Sequence, residues 1–228
     1  MIALGIDTAT SACACALWSA AERRVLAVRA EPLARGQAER LLPMVQELLA
    51  EAGLGFADIG RYGVTVGPGA FTGLRIGLAA ARGLALAAGR PLVGVTGLEA
   101  AALGAGPERR RGRTVLVALD SRREDFYVQL FDEAASPLTE PASVLPADLP
   151  GLAASIAGPL LLLGDAAARA AEALGGAVPL EVLPSDGAAE AAAVARLAAE
   201  CADPAARPAD PFYIRPPDVT LPSGKPAP

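Results

Sequence analysis

Two segments of the chain open alike. Leu4-Gly5-Ile6-Asp7-Thr8 and Leu116-Val117-Ala118-Leu119-Asp120-Ser121 are apolar runs that end in an acid and a hydroxyl. Short apolar runs bounded by turn-forming residues favour strands, so each reads as a strand that stops at a turn. Each is followed by a second strand, Ala12 to Trp18 in one case and Phe126 to Phe131 in the other. A further apolar run, Leu160 to Leu163, meets Gly164-Asp165 and enters a helix, much as Val66 meets Gly67. A chain that repeats its opening in this way is read as two lobes built on one plan.

The first lobe continues with a strand at Val25 to Ala30 and a helix at Gln37 to Glu51, where Leu41, Leu42, Val45, Leu48 and Leu49 recur at helical spacing. A strand at Tyr62 to Val66, a helix at Thr72 to Ala88 and a strand at Pro91 to Val95 follow, giving the order βββαβαβ. Gly104-Ala105-Gly106-Pro107-Glu108 breaks the pattern and is taken as the hinge, dividing the chain into 1–104 and 105–228. The alanine-rich helix Asp186 to Cys201 is expected to lie on a sheet, and Trp18 is expected in the core. From about residue 204 the tail is proline-rich, hence extended or disordered except where Phe212, Tyr213 and Ile214 anchor it.

The stretch Val64-Thr65-Val66-Gly67-Pro68-Gly69-Ala70-Phe71-Thr72-Gly73-Leu74-Arg75-Ile76-Gly77 is a strand, a glycine-rich turn and a helix start. It has the outline of a phosphate loop but not its chemistry. A P-loop places Lys and then Ser or Thr after its last glycine, where this chain has Leu74-Arg75. A dinucleotide fingerprint needs a third glycine where Thr72 stands, and an acid about 20 residues on, where Leu92 stands. The glycines then serve either a ligand or a tight corner, with Gly73 and Gly77 letting another backbone come close. Asp7 with Thr8 and Thr10 is open in the same way, as a metal-phosphate ligand set or as an ordinary Asx turn.

Composition removes whole classes of chemistry. The chain has no histidine, which excludes Ser-His-Asp and Cys-His nucleophile pairs and nearly every ordinary zinc site. Three cysteines without paired spacing point to a reducing compartment, and Cys13 and Cys15 share one face of a strand. Hydrophobic residues make up 53% of the chain, but the excess is alanine and arginines interrupt the apolar region, so a soluble, cytoplasmic protein with no leader and no membrane contact is expected. A net charge of −5 argues against broad grip on nucleic acid. The arginine clusters at 109–113 and 122–123 read first as solvated loops.

Two such lobes, each with an Asp at its first turn, resemble the actin, Hsp70 and sugar-kinase superfamily, an α/β fold of two ribonuclease H-like lobes, each a mixed sheet with helices. Ile6-Asp7-Thr8-Ala9-Thr10, the segment Arg35 to Pro43, the GPG-x-FTGLRIG block at 67–77, Leu119 to Tyr127, and Tyr213-Ile214-Arg215-Pro216-Pro217 carry a more specific resemblance, to the bacterial TsaB (YeaZ) family. It spans most of the chain, and the central region Ala134 to Leu160 matches only in pattern.

That resemblance implies a non-catalytic scaffold and activator. It would pair with TsaD, recruit the ATPase TsaE, and support threonylcarbamoyl transfer to adenosine 37 of tRNAs that read ANN codons. It would touch tRNA only indirectly and self-associate as a homodimer when TsaD is absent. The implied partner interface lies on the two helices of the first lobe, at Leu41, Leu42, Val45, Leu48, Leu49, Gly73, Leu74, Ile76, Gly77 and Leu78. Asp7, Thr8, Thr10, Asp120 and Ser121 are vestigial phosphate-loop positions, and no residue is assigned a catalytic or metal-binding role. The chain departs from its relatives at Gln37-Ala38, where many have His and Ser, and it lacks the His-x-x-x-His metal pair of TsaD, so a peptidase label would mislead. Ser121-Arg122-Arg123-Glu124-Asp125 has no glycine, and the bulk and negative charge of Glu124 and Asp125 disfavour a nucleotide phosphate there, partly offset by the arginines. No cofactor is expected on the chain alone, with ATP or ADP held only within a complex. The alternative is an autonomous ATP-dependent kinase of the same superfamily.

Overall fold

The computed structural model describes residues 1–33, 35–154, 156, 158–183 and 185–215. The repeated opening becomes two five-stranded sheets of one design. In the first, β1 (Ile2–Asp7), β2 (Ala12–Ser19) and β3 (Arg24–Pro32) form an antiparallel meander. Helix α1 (Gln37–Glu51) leads to β4 (Ile59–Gly67), and α2 (Phe71–Ala88) leads to β5 (Leu92–Thr96). β4 pairs parallel with β1 and β5 parallel with β4, giving the order β3-β2-β1-β4-β5. Parallel neighbours need a crossover, and the helices provide it.

After β5 come α3 (Gly97–Gly104) and the short α4 (Pro107–Arg110). The second sheet then follows with β6 (Thr114–Asp120), β7 (Phe126–Phe131) and β8 (Ala142–Val144). Helix α5 (Leu149–Ala154), β9 (Leu160–Leu163), α6 (Ala167–Leu174) and β10 (Leu180–Val182) complete it. Its order, β10-β9-β6-β7-β8, is the first sheet's order with β6 in the place of β1. The two similar apolar runs are therefore the central strands of the two sheets. The last helix is α7 (Ala188–Glu200).

The layers follow from which faces are apolar. Leu41, Met44, Val45, Leu48 and Leu49 of α1, with Leu74, Leu78, Ala81 and Ala85 of α2, join Leu4, Ile6, Cys13, Cys15, Leu17, Tyr62 and Val64 in the core on one face of the first sheet. On the other face lie α7 and α3. α3 also packs on the second sheet through Leu98, Ala101 and Ala102. α5 and α6 cover that sheet's far side.

The alanine content of α7 has a geometric cause. Gly5 of β1 sits beside Gly63 of β4, and a Cβ on Gly5 would collide with the Ala195 amide nitrogen and the Ala191 carbonyl. A Cβ on Gly63 would meet the Val194 carbonyl and Ala198. Small residues on both sides let the helix rest directly on the strands. Arg61 secures its end by donating to the Ala198 and Cys201 carbonyls at 2.9 and 2.5 Å, where a cation also favours the helix C-terminus.

Several expectations need correction. α3 occupies residues read as passing straight from strand to hinge; Thr96 and Glu99 close a capping box at its start. The segment 104–108 holds the end of α3 and the start of α4. Although it lies in the second part of the chain, α7 packs on the first sheet. Trp18 is only partly buried, with the Arg196 guanidinium 5.6 Å from its ring centroid. The tail is extended to Arg215 apart from a single turn at Pro204–Ala206, and Pro216, Pro217 and the rest lie outside the described residues.

Candidate functional site

The first turn of the first lobe is folded onto α2. The Asp7 carboxylate accepts from the Ala9 amide at 2.9 Å, the Asx-turn geometry. The Thr8 hydroxyl donates to the Gly73 carbonyl at 2.7 Å, and the Ala70 amide donates to the Ala9 carbonyl at 2.7 Å. A Cβ on Gly69 would strike the Ala9 carbonyl, one on Gly73 the Thr8 carbonyl, and one on Gly77 the Thr8 hydroxyl at 2.5 Å. The close backbone approach permitted by Gly73 and Gly77 is therefore to the chain's own Asp7–Thr10 turn.

Asp7 is buried with Thr65 and Glu190. Burial pushes its carboxyl up to about 7, opposed by the Ala9 amide and reinforced by Glu190 and Asp165. Glu190 and Asp165 are also raised, again chiefly by burial. One oxygen each of Asp7 and Glu190, with the Thr65 hydroxyl, has no partner of normal geometry. Three acids from β1, the β9–α6 junction and α7 thus disfavour one another's charge. Among the described residues they do not form a cluster able to hold a metal ion.

The matching turn of the second lobe satisfies its own polar groups. Asp120 accepts from the Arg122 amide at 2.9 Å and pairs with Arg122 at 3.4 Å and Arg169 at 3.2 Å. The Ser121 hydroxyl donates to the Asp125 carbonyl at 2.7 Å and accepts from the Arg123 amide at 3.1 Å. Asp165 accepts from the Asp120 amide at 2.9 Å. Asp125 is only 2% exposed, and bonds from Ser143 and Ser121 with the Arg215 charge hold it below the usual carboxylate range despite burial, the largest single influence.

Most of the residues expected at the partner interface face the chain's own core. Leu41, Val45, Leu48, Leu49, Leu74 and Leu78 are all buried on the first sheet, and Gly73 and Gly77 are buried against Thr8. The reason is ordinary: the apolar stripe of a helix on a sheet faces that sheet. Of the ten, Leu42 is 45% exposed and Ile76 partly exposed. The outward side of α2 carries Phe71, Thr72, Arg75, Ala79, Arg82, Gly83, Ala87 and Leu86, the last 85% exposed, so apolar and small residues alternate there with two arginines. Leu86 was legible as an apolar residue off the main stripe. Among the described residues α2 alone is long and apolar enough to cross a membrane, with mean hydropathy 1.2, yet only a third of it is buried in this fold.

The arginines at 109–113 are engaged within the chain. Arg109 and Arg113 both reach Glu181, at 2.7 and 2.5 Å, and Arg111 pairs with Glu108 at 2.8 Å. Arg110 is buried and donates to the Glu133 carbonyl at 2.9 Å.

The family model that matches the chain is described as TsaD: tRNA N6-adenosine threonylcarbamoyltransferase, over residues 27–181. The chain is 43% identical over 125 residues to the tRNA threonylcarbamoyladenosine biosynthesis protein TsaB of Escherichia coli, covering 54% of this chain and 52% of that one. The chain spans about half the length of the curated relatives it matches first. YeaZ from Pseudomonas aeruginosa superposes with a TM-score of 0.72 at 28% identity, covering 93% of this chain and 99% of that one. A ROK hexokinase from Thermus thermophilus, with a TM-score of 0.53 at 16% identity over 86% of this chain and 98% of its own, shares the fold.

Proposed function

The chain belongs to the tRNA N6-adenosine threonylcarbamoyltransferase family, within it to the TsaB (YeaZ) proteins, and we propose that it is the non-catalytic member of a threonylcarbamoyladenosine-forming complex. In this reading it scaffolds and activates a TsaD-type subunit, recruits the ATPase TsaE, and touches tRNA only through that assembly. It works in the cytoplasm and self-pairs when TsaD is absent.

The observation that supports the reading is the outward side of α2, where Leu86 is 85% exposed beside Ala79, Gly83 and Ala87 on a helix of which a third is buried. Covering a leucine of this kind contributes about 1.5–3 kcal/mol before association costs. Ala79, Gly83 and Ala87 beside it leave room for a second helix to approach, and nothing stands within 4 Å of a Cβ on Gly83. Leu42 of α1 is exposed as well, at 45%. This reading assigns the chain no cofactor of its own; in the second turn the Asp120 carboxylate and the Ser121 hydroxyl are engaged by the Arg122 and Arg123 amides, and the Asp120 amide by Asp165.

The test is reconstitution of threonylcarbamoyl transfer to tRNA from TsaD and TsaE, with and without this chain. Transfer should require it, and Leu86→Glu with Leu42→Glu should remove both transfer and TsaD pairing. Full transfer without the chain would end the proposal.

A further inference from the structure

The tail does more than trail from α7. Beyond Asp203, which caps the turn at Pro204, Arg207 pairs with Glu99 at 3.1 Å and its carbonyl accepts from the Gly94 amide at 2.9 Å. Arg82 of α2 donates to the Ala209 carbonyl at 2.7 Å and pairs with Asp210 at 2.9 Å. The Phe212 amide donates to the Val66 carbonyl at 2.7 Å, and Tyr213 lies 5.8 Å from Phe71, over whose ring Arg75 is stacked at 3.9 Å. The segment thus runs along the free edge of β5, across the end of β4 and beside the start of α2.

Two glycines are cut to fit it. A Cβ on Gly94 would collide with the Pro208 carbonyl, and one on Gly67 with the Phe212 carbonyl. Gly67 also has φ of 114°, a value closed to most side chains.

The segment then leaves the first lobe. Arg215 reaches Asp125 of the β6–β7 turn, in the second sheet, at 3.1 Å. Asp125 is 2% exposed and is held by the hydroxyls of Ser121 and Ser143, so the acid is oriented before the arginine arrives. An ion pair with one buried, pre-oriented partner is worth more than an exposed pair, because little remains to be ordered and screening is weak.

We infer that residues 203–215 form a latch between the lobes, with the Arg215–Asp125 pair as its tooth and the groove across Gly94 and Gly67 as its seat. The chain ties its two lobes together with its own segment 203–215. The latch also lies along Arg82, Arg75 and Phe71 of α2, so it joins the second lobe to the helix that carries exposed Leu86. This inference does not depend on the identity of the partner.

The experiment uses the full chain with Cys201→Ser, spin-labelled at exposed Gln46 of α1 and Glu172 of α6, and measures the distance distribution by pulsed electron paramagnetic resonance. The unaltered latch should give one narrow distribution. Arg215→Ala and a chain ending at Pro211 should both broaden it, and amide exchange across Asp120–Phe126 should rise at least tenfold in both. Unchanged distributions and exchange in the shortened chain would overturn the latch. Change in the shortened chain but not in Arg215→Ala would overturn the ion pair as its tooth. Asp125→Asn, which keeps the hydroxyl contacts, must match Arg215→Ala if the pair is the tooth.

Discussion

At the scale of single residues, the glycines and buried acids carry the sharpest expectations. Gly5 faces the backbone of α7, not a side chain that can turn aside, so Gly5→Val should destabilise the fold by about 1–3 kcal/mol or more, read by urea denaturation. Asp7 holds its proton up to about pH 7 in the folded chain, against 3.8 for the free group. The folded state therefore binds more protons between those values. The stabilising contribution is complete below pH 3.8 and is lost as pH rises through about 7, at about 1.4 kcal/mol per pH unit for one proton. Glu190 and Asp165 act in the same sense. Asp7→Asn should flatten the pH dependence of the unfolding midpoint over pH 4–7, and an unchanged slope would show that Asp7 is not its source. Asp7 was legible as the acid at a strand end; its partners Glu190 and Asp165 were not, because their meeting depends on how distant elements pack.

At the scale of elements, the two faces of α2 separate folding from pairing. Leu78 lies in the core at 2% exposure, so Leu78→Glu buries a charge without a partner and should unfold the lobe. Leu86→Glu should leave stability within about 0.5 kcal/mol by thermal unfolding while TsaD pairing is lost. If Leu86→Glu pairs normally, another face of the molecule is used. The helical spacing of Leu41, Val45, Leu48 and Leu49 was readable, and located α1 correctly. What it marks is the side turned to the sheet, and a stripe alone does not say which neighbour covers it. β8 and β10 have three residues each and offer no period to read. α3 is contacted on both sides, by α7 and by the second sheet, so its sequence Gly-Leu-Glu-Ala-Ala-Ala-Leu-Gly shows no polar face.

For the whole molecule, the repeated strand openings announced two sheets of one design, and the sheet orders match strand for strand. Turnover of ATP by the isolated chain should stay far below the roughly 1–100 per second of kinases, measured in a steady-state phosphate-release assay. Turnover in that range would return the chain to the kinase-like alternative. Less visible in the sequence was that α7 completes the first lobe after the second has been passed through. The cause is a match of small residues, Gly5 and Gly63 against Ala191, Ala195 and Ala198, which carries no periodic signal. That crossing has a consequence for biogenesis. On the ribosome, β1 to β5 emerge early, but the part of the face around Gly5 and Gly63 that α7 covers stays bare until residue 200 has been made, whereas β6 to β10 hold their covering helices α5 and α6 within their own stretch. Synthesis at about 5–20 residues per second leaves that face bare for several seconds, during which a nascent chain is open to chaperones and to misassembly.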